Sequence, residues 1–261
     1  AFPAEHWRDE FFTGANLSFS LIEWTLDQCA LYDNPLMSKE GRNEINKLCQ
    51  KTGVRVISAT LDCVMQAPFY KAEGRVHDEL LNDLAHTIKA CQAQNIKTIV
   101  VPLVDGGALE SQSQEAILRA GFSAISPLVQ QTGVRICFEC DKAPNALAQF
   151  ISGFATERYG LTYDIGNSSA AGFDPEVEFT AYGNRIYHVH VKDRVLGGRT
   201  VPLGEGHANF AAVFRNLAII NYTGPFILQT ARAQNNDHAG LLAAYRAQTL
   251  EWVSNAETIF A

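Results

Sequence analysis

Four polar residues stand at the ends of otherwise apolar runs. Glu139 closes V-R-I-C-F-E, Asp164 closes L-T-Y-D, His190 lies in I-Y-H-V-H-V-K-D, and Gln229 closes F-I-L-Q. Read as strands, these runs send alternate side chains to opposite faces. In residues 186–193, Ile186, His188, His190 and Lys192 share one face, while Tyr187, Val189 and Val191 share the other. Over residues 134–139, Val134, Ile136 and Phe138 oppose Arg135, Cys137 and Glu139. Leu161 and Tyr163 likewise oppose Thr162 and Asp164, and Phe226 and Leu228 oppose Ile227 and Gln229. Each run thus carries a polar side chain opposite its apolar stripe, roughly one strand-plus-helix repeat from the next. Two carboxylates, an imidazole and an amide oxygen converging on one point suit a divalent cation such as Mn²⁺, Co²⁺, Zn²⁺ or Mg²⁺. The competing reading is a hydrogen-bonded polar network that fills a barrel interior.

Such residues need rigid elements behind them. Helical spacing is expected over residues 5–15, and a strand over 17–24. Ser38 can cap a helix that runs through Leu48 and ends near Gly53. A strand over 54–61 and a loop with Pro68 lead to a helix carrying Leu80, Leu84, Ile88 and Cys91. Residues 98–103 form a short apolar run typical of a buried parallel strand, broken by Asp105-Gly106-Gly107. A long helix then closes at Gly133, and Pro144 opens another. Asp174-Pro175 gives a capped helix start with proline at its first turn. After the histidine strand come a glycine-rich loop over 197–206, a helix over 210–217, the strand at 226–229 and an amphipathic helix over 238–259. Strand and helix alternate about seven times, which predicts parallel strands joined by helices in an α/β fold. No G-x-G-x-x-G turn follows a strand, so a doubly wound dinucleotide fold is disfavoured.

The chain has 261 residues, 47% hydrophobic and 19% charged, enough for a sizeable core and consistent with a single domain over residues 1–261. Its net charge of -7 argues against a nucleic-acid footprint, which calls for a basic stripe. No apolar run is long enough to span a bilayer. Cys29, Cys49, Cys63, Cys91, Cys137 and Cys140 are scattered, and the C-x-x-C spacing of the last two puts them on opposite faces of a strand. Free, structural thiols and a cytoplasmic location are therefore expected. The first residues, Ala1-Phe2-Pro3, lack a methionine, so the native N-terminus is expected upstream.

F-E at Phe138-Glu139, Y-D-I-G-N at residues 163–167, H-V-K-D at 190–193 and P-L-G-E-G at 202–206 together resemble the xylose-isomerase-like barrels of sugar and sugar-phosphate isomerases and epimerases. I-E-W at residues 22–24 and N-P-L at 34–36 are similar to one subgroup. The resemblance covers nearly the whole chain. It implies a (β/α)8 TIM barrel whose first strand lies upstream of Ala1. It also implies that Glu139, Asp164 and His190 are metal ligands, that Glu139 is one of two acid/base glutamates, and that Asn167 sits where many relatives carry a substrate-binding histidine. The fourth ligand, normally the second catalytic glutamate, falls on Gln229.

That departure bears on the chemistry. A glutamine amide can ligate through oxygen but cannot exchange a proton near neutral pH. Substitute proton carriers are His188, Lys192, Glu23 and Asp62, while Lys192 and Arg232 could hold a phosphate or carboxylate. His207 could be a second metal ligand, and Glu205 reads as a residue that shapes its loop. The leading expectation is a metal-dependent isomerase or epimerase of a small ketose or ketose phosphate, with Glu139 as base. Glu23, Asn167, His188, Lys192 and Arg232 would surround the sugar. The alternatives are a lyase or dehydratase on the same scaffold and a sugar-binding protein without turnover. A homo-oligomer is compatible with either.

Overall fold

The structure is a computed structural model and describes residues 2–258. It divides into two compact units. One holds the chain up to Cys140 together with Glu157–Tyr159; the other holds Asp141–Thr156 and the chain from Gly160 onward.

In the first unit, β1 (Leu21–Thr25), β2 (Arg55–Thr60), β3 (Thr98–Leu103) and β4 (Arg135–Cys140) pair in that order, all parallel. α1 (Trp7–Asn16) precedes β1, and between the strands lie α2 (Lys39–Thr52), α3 (Asp62–Gln66), α4 (Gly74–Ala93) and α5 (Gln112–Thr132). The caps follow the sequence signals. The Ser38 hydroxyl accepts from the Gly41 amide at the start of α2, and Gly53 closes that helix at φ 77. The left-handed conformation of Gly53 is one that residues with a β-carbon rarely adopt. Ile99, Val100, Val101 and Leu103 of β3 are all fully buried, as a strand covered on both faces requires.

In the second unit, β5 (Tyr159–Asp164, of which all but Tyr159 belongs here) and β6 (Ile186–Val191) pair in parallel. A short antiparallel ribbon follows, made of β7 (Asp193–Arg194) and β8 (Thr200–Val201). Parallel β9 (Phe226–Leu228) then pairs with β6. The helices are α6 (Pro144–Ser152), α7 (Ile165–Ala171), α8 (Pro175–Tyr182), α9 (Phe210–Ile219) and α10 (His238–Thr258). Trp252 of α10 stacks on Phe210 of α9 with ring centroids 4.0 Å apart.

Three expectations shift. The first strand begins at Leu21 rather than Leu17, because the chain closes α1 first. There the Phe19 amide donates to Gly14, and Ser18 adopts a left-handed φ of 61°. The run 186–193 is not one strand: it leaves the sheet after Val191, and Asp193 opens the ribbon. The loop expected after β2 contains α3, and the chain after Asp164 coils at once into α7. The last helix was expected to reach Ile259, which lies outside the described residues. Among the described residues the six cysteines are free, and no helix is long and apolar enough to cross a membrane.

Candidate active site and metal centre

In the second unit three neighbouring strand ends lie in register. Asp164 of β5 pairs with His190 of β6, His190 pairs with Ile227 of β9, and the Gln229 amide donates to the Val191 carbonyl at 3.1 Å. Adjacent parallel strands are about 4.8 Å apart, so side chains that share a face at matched positions meet. His190 Nδ1 lies 3.8 Å from Asp164 Oδ2. Lys192 Nζ donates to the same Asp164 oxygen at 3.3 Å and to Gln229 Oε1 at 2.9 Å. Asp164 and His190 are buried, whereas Gln229 is exposed. Burial alone would push the Asp164 carboxyl up, but the adjacent His190 imidazole, the Lys192 charge and the Asn167 amide hold it below the usual carboxylate range.

The sequence around Asp164 builds this arrangement. Coiling directly after the strand makes Asp164 the N-cap of α7, with Oδ1 accepting from the Asn167 amide at 2.8 Å. The other carboxylate oxygen is thereby left for His190 and Lys192. Gly166 lets the Lys192 stem pass, since a β-carbon there would lie 2.6 Å from Lys192 Cγ. The Asn167 side chain accepts from Arg194 Nη1 at 2.8 Å. His188 lies one row deeper, in register with Thr162 and fully buried, with its ring centroid 5.3 Å from that of His190. Arg232 is exposed beyond β9.

The first unit carries its own acidic strand ends. Glu139 of β4 is buried and in register with Pro102 of β3. Glu23 of β1 accepts from the Thr60 hydroxyl at the end of β2, at 2.7 Å. Asp62 opens α3 immediately beyond β2. Burial, reinforced by the like charges of Asp27, Glu139 and Glu23, raises the Asp62 carboxyl to about 6. Burial is the larger cause of that shift, and the neighbouring carboxylates add to it.

Of the residues singled out from sequence, Asp164, His190, Lys192 and Gln229 come together within the second unit. Sequence reasoning missed Asp193, the residue that shapes the glycine-rich loop. Its carboxylate accepts from the amides of Gly204 and Gly206, both at 2.9 Å, and of Ala208 at 3.2 Å. A β-carbon at Gly206 would collide with that carboxylate. The signal was available: an aspartate at a strand end followed by P-L-G-E-G, with glycine where backbone must approach a carboxylate. His207, expected as a possible ligand, accepts the Leu196 amide through Nδ1 at 3.1 Å and so ties down the same loop.

A family profile described as xylose isomerase-like TIM barrel matches residues 14–253. A relative named L-ribulose-5-phosphate 3-epimerase UlaE, from Escherichia coli O1:K1 / APEC, is 27% identical over 265 aligned positions, covering 97% of this chain and 91% of its own. Among solved structures, an L-ribulose 3-epimerase superposes with a TM-score of 0.77 at 18% identity, covering 99% of this chain and 92% of its own. The IOLI protein with a bound zinc atom superposes at 0.78 and 15% identity, covering 96% and 94%. The parallel strands and intervening helices are accordingly those of an α/β barrel, and the chain belongs to the xylose isomerase-like TIM barrel family.

Proposed function

We propose that this chain is a sugar epimerase or isomerase that moves a proton beside the carbonyl of a small ketose or ketose phosphate, assisted by a divalent cation. The observation that carries the reading is that Asp164 and His190 stand in register at neighbouring strand ends, with Gln229 on the next strand one row beyond Ile227, the partner of His190. In TIM barrels the catalytic groups come from the C-terminal ends of strands. The relatives named L-ribulose-5-phosphate 3-epimerase support the sugar-phosphate class. Six free thiols suit a reducing, cytoplasmic setting.

Glu139, Asp164 and His190, with Gln229 as fourth, are the proposed ligands, and their donor chemistry fits a small dication. When bound, the cation would polarise the substrate carbonyl and favour its enediolate. Glu139 is the proposed base, taking the proton from the carbon beside that carbonyl. Gln229 offers an amide oxygen and no exchangeable proton, so it orients rather than titrates. Lys192 and Arg232 supply positive charge for a phosphate or carboxylate, and Asn167, His188 and Glu23 line the sugar. Asp164, held ionised by its partners, serves as an acceptor and not as an acid.

The test is NMR of deuterium uptake from D₂O by metal-loaded protein over a panel of ketoses and ketose 5-phosphates. Exchange at the carbon next to the carbonyl, lost in Glu139→Gln, is expected; no exchange across the panel overturns the proposal. One observation favours a second reading. Because Gln229 stands where the family resemblance puts the second acid/base glutamate, a lyase that needs one base suits the same groups. A new conjugated absorbance on loss of water, without deuterium wash-in, identifies it. Thermal stabilisation by sugars with neither signal identifies a binding protein.

A further inference from the structure

Glu178 is a carboxyl outside the proposed metal centre, only 2% exposed, on α8 of the second unit. Buried carboxyls are costly, and none persists without partners that satisfy it. Three hydroxyls do so here. Tyr163 donates to Oε2 at 2.8 Å, Ser168 donates to the same oxygen, and Tyr182 donates to Oε1 at 2.6 Å. Tyr163 and Ser168 also lie 3.3 Å apart, oxygen to oxygen. The placement of these partners is informative. Tyr163 immediately precedes Asp164, and Ser168 lies in α7, the helix that Asp164 caps. One buried carboxyl therefore grips the chain on both sides of Asp164, while Asn167 between them donates its amide to Asp164 Oδ1.

We propose that Glu178 is a positioning residue that fixes the orientation of the Asp164 carboxylate by tying Tyr163 and Ser168 to α8. The functional weight of this assignment rests on Asp164 being a metal ligand, as proposed above. Nothing in the fold alone requires a carboxyl at this place, since an apolar side chain of similar volume would seal α8 against β5 without a desolvation cost. A carboxylate that accepts several hydroxyls fixes direction as well as contact, which apolar packing does not.

The test compares Glu178→Ala, Glu178→Gln and Tyr182→Phe. Tyr182 reaches Glu178 from within α8 itself, so its loss weakens the buried network without releasing either flank of Asp164. Thermal melting, Co²⁺ titration followed by visible absorption, and amide exchange over residues 164–171 are read for each. Glu178→Ala is expected to bind Co²⁺ ten- to a hundredfold more weakly, the range for loss of an outer partner, with an altered spectrum and faster exchange at Asn167. Glu178→Gln, which keeps the shape and one acceptor, is expected to recover most of that loss. Tyr182→Phe is expected to melt lower with Co²⁺ affinity within twofold of the parent. If Glu178→Ala melts lower but keeps the parent's Co²⁺ affinity, spectrum and Asn167 exchange, Glu178 is merely structural and the proposal falls. If the parent binds no Co²⁺, the metal reading fails by itself, and exchange at Asn167 still decides whether Glu178 positions Asp164.

Discussion

Replacing Lys192 with methionine should move two quantities in opposite directions. The ammonium lies 3.3 Å from Asp164 Oδ2 and 2.9 Å from Gln229 Oε1, with the Lys192 side chain 16% exposed and that of Asp164 1% exposed. Without metal it is the nearest full positive charge on a buried carboxylate. Its loss should cost on the order of 1–3 kcal/mol, the range for leaving a buried hydrogen-bonding group without its partner, and lower Tm by several degrees. With metal the sign reverses. A dication about 2 Å from the same carboxylate oxygen stands no more than about 5–6 Å from the ammonium. The repulsion between +2 and +1 at that distance is about 1.5 kcal/mol in water and about 6 kcal/mol at an effective dielectric of 20. Because the lysine can swing partly into solvent, the lower figure applies. Loss of its bond to exposed Gln229 offsets only about 0.5–1 kcal/mol. Methionine, similar in length and uncharged, should therefore bind Mn²⁺ or Zn²⁺ about two- to fivefold more tightly, and metal should raise its Tm further than it raises the parent's. Isothermal titration and melting with and without metal measure both. A variant that binds metal more weakly than the parent would refute the reasoning, since Lys192 would then be organising the ligands and not competing for them.

Three further outcomes follow from the same geometry. Gln229→Glu adds a third carboxylate to the proposed ligands, beside Lys192, so metal affinity should rise about tenfold or more and two-base epimerisation should appear or accelerate; unchanged affinity by titration would remove Gln229 from the ligand set. The Asp62 carboxyl, raised from 3.8 to about 6, keeps its proton longer in the folded than in the unfolded chain, so this group makes stability fall as pH rises from about 4 to about 6. Asp62→Asn should flatten that slope and raise Tm near pH 7 by about 2–4 °C, as calorimetry across pH would reveal. Asp193→Ala strands three amides that its carboxylate receives at 2.9–3.2 Å. A loss of roughly 3 kcal/mol is expected, with amide exchange accelerated at Gly204, Gly206 and Ala208.

Much of this was legible in the sequence because parallel strands write themselves plainly. The run T-I-V-V-P-L could hardly be anything but a strand buried on both faces, and period-two alternation fixed which of His188, Val189 and His190 share a face. Helix ends marked by Ser38 and Gly53 were equally readable, since capping is local chemistry. What stayed hidden depends on contacts distant in sequence. The break of the histidine strand after Val191 is dictated by amides more than ten residues downstream that converge on Asp193, and no local propensity signals it. The seven-residue helix after Asp164 is too short for periodicity to register, and only the D-I-G-N cap pattern hinted at it. Lys192 was recognisable as sharing a face with the histidines. That it bridges Asp164 and Gln229 depends on Gly166 clearing its path, which alternation cannot reveal.

The proposal on which the rest turns is that Glu139, Asp164, His190 and Gln229 are ligands of one divalent cation. Anomalous diffraction at the manganese edge from Mn²⁺-soaked crystals addresses it most directly. A single strong peak within bonding distance of Asp164 Oδ2 and His190 Nδ1, with Glu139 and Gln229 completing its coordination, is predicted. A well-occupied peak elsewhere in the molecule, or none at these side chains at saturating Mn²⁺, would contradict the account.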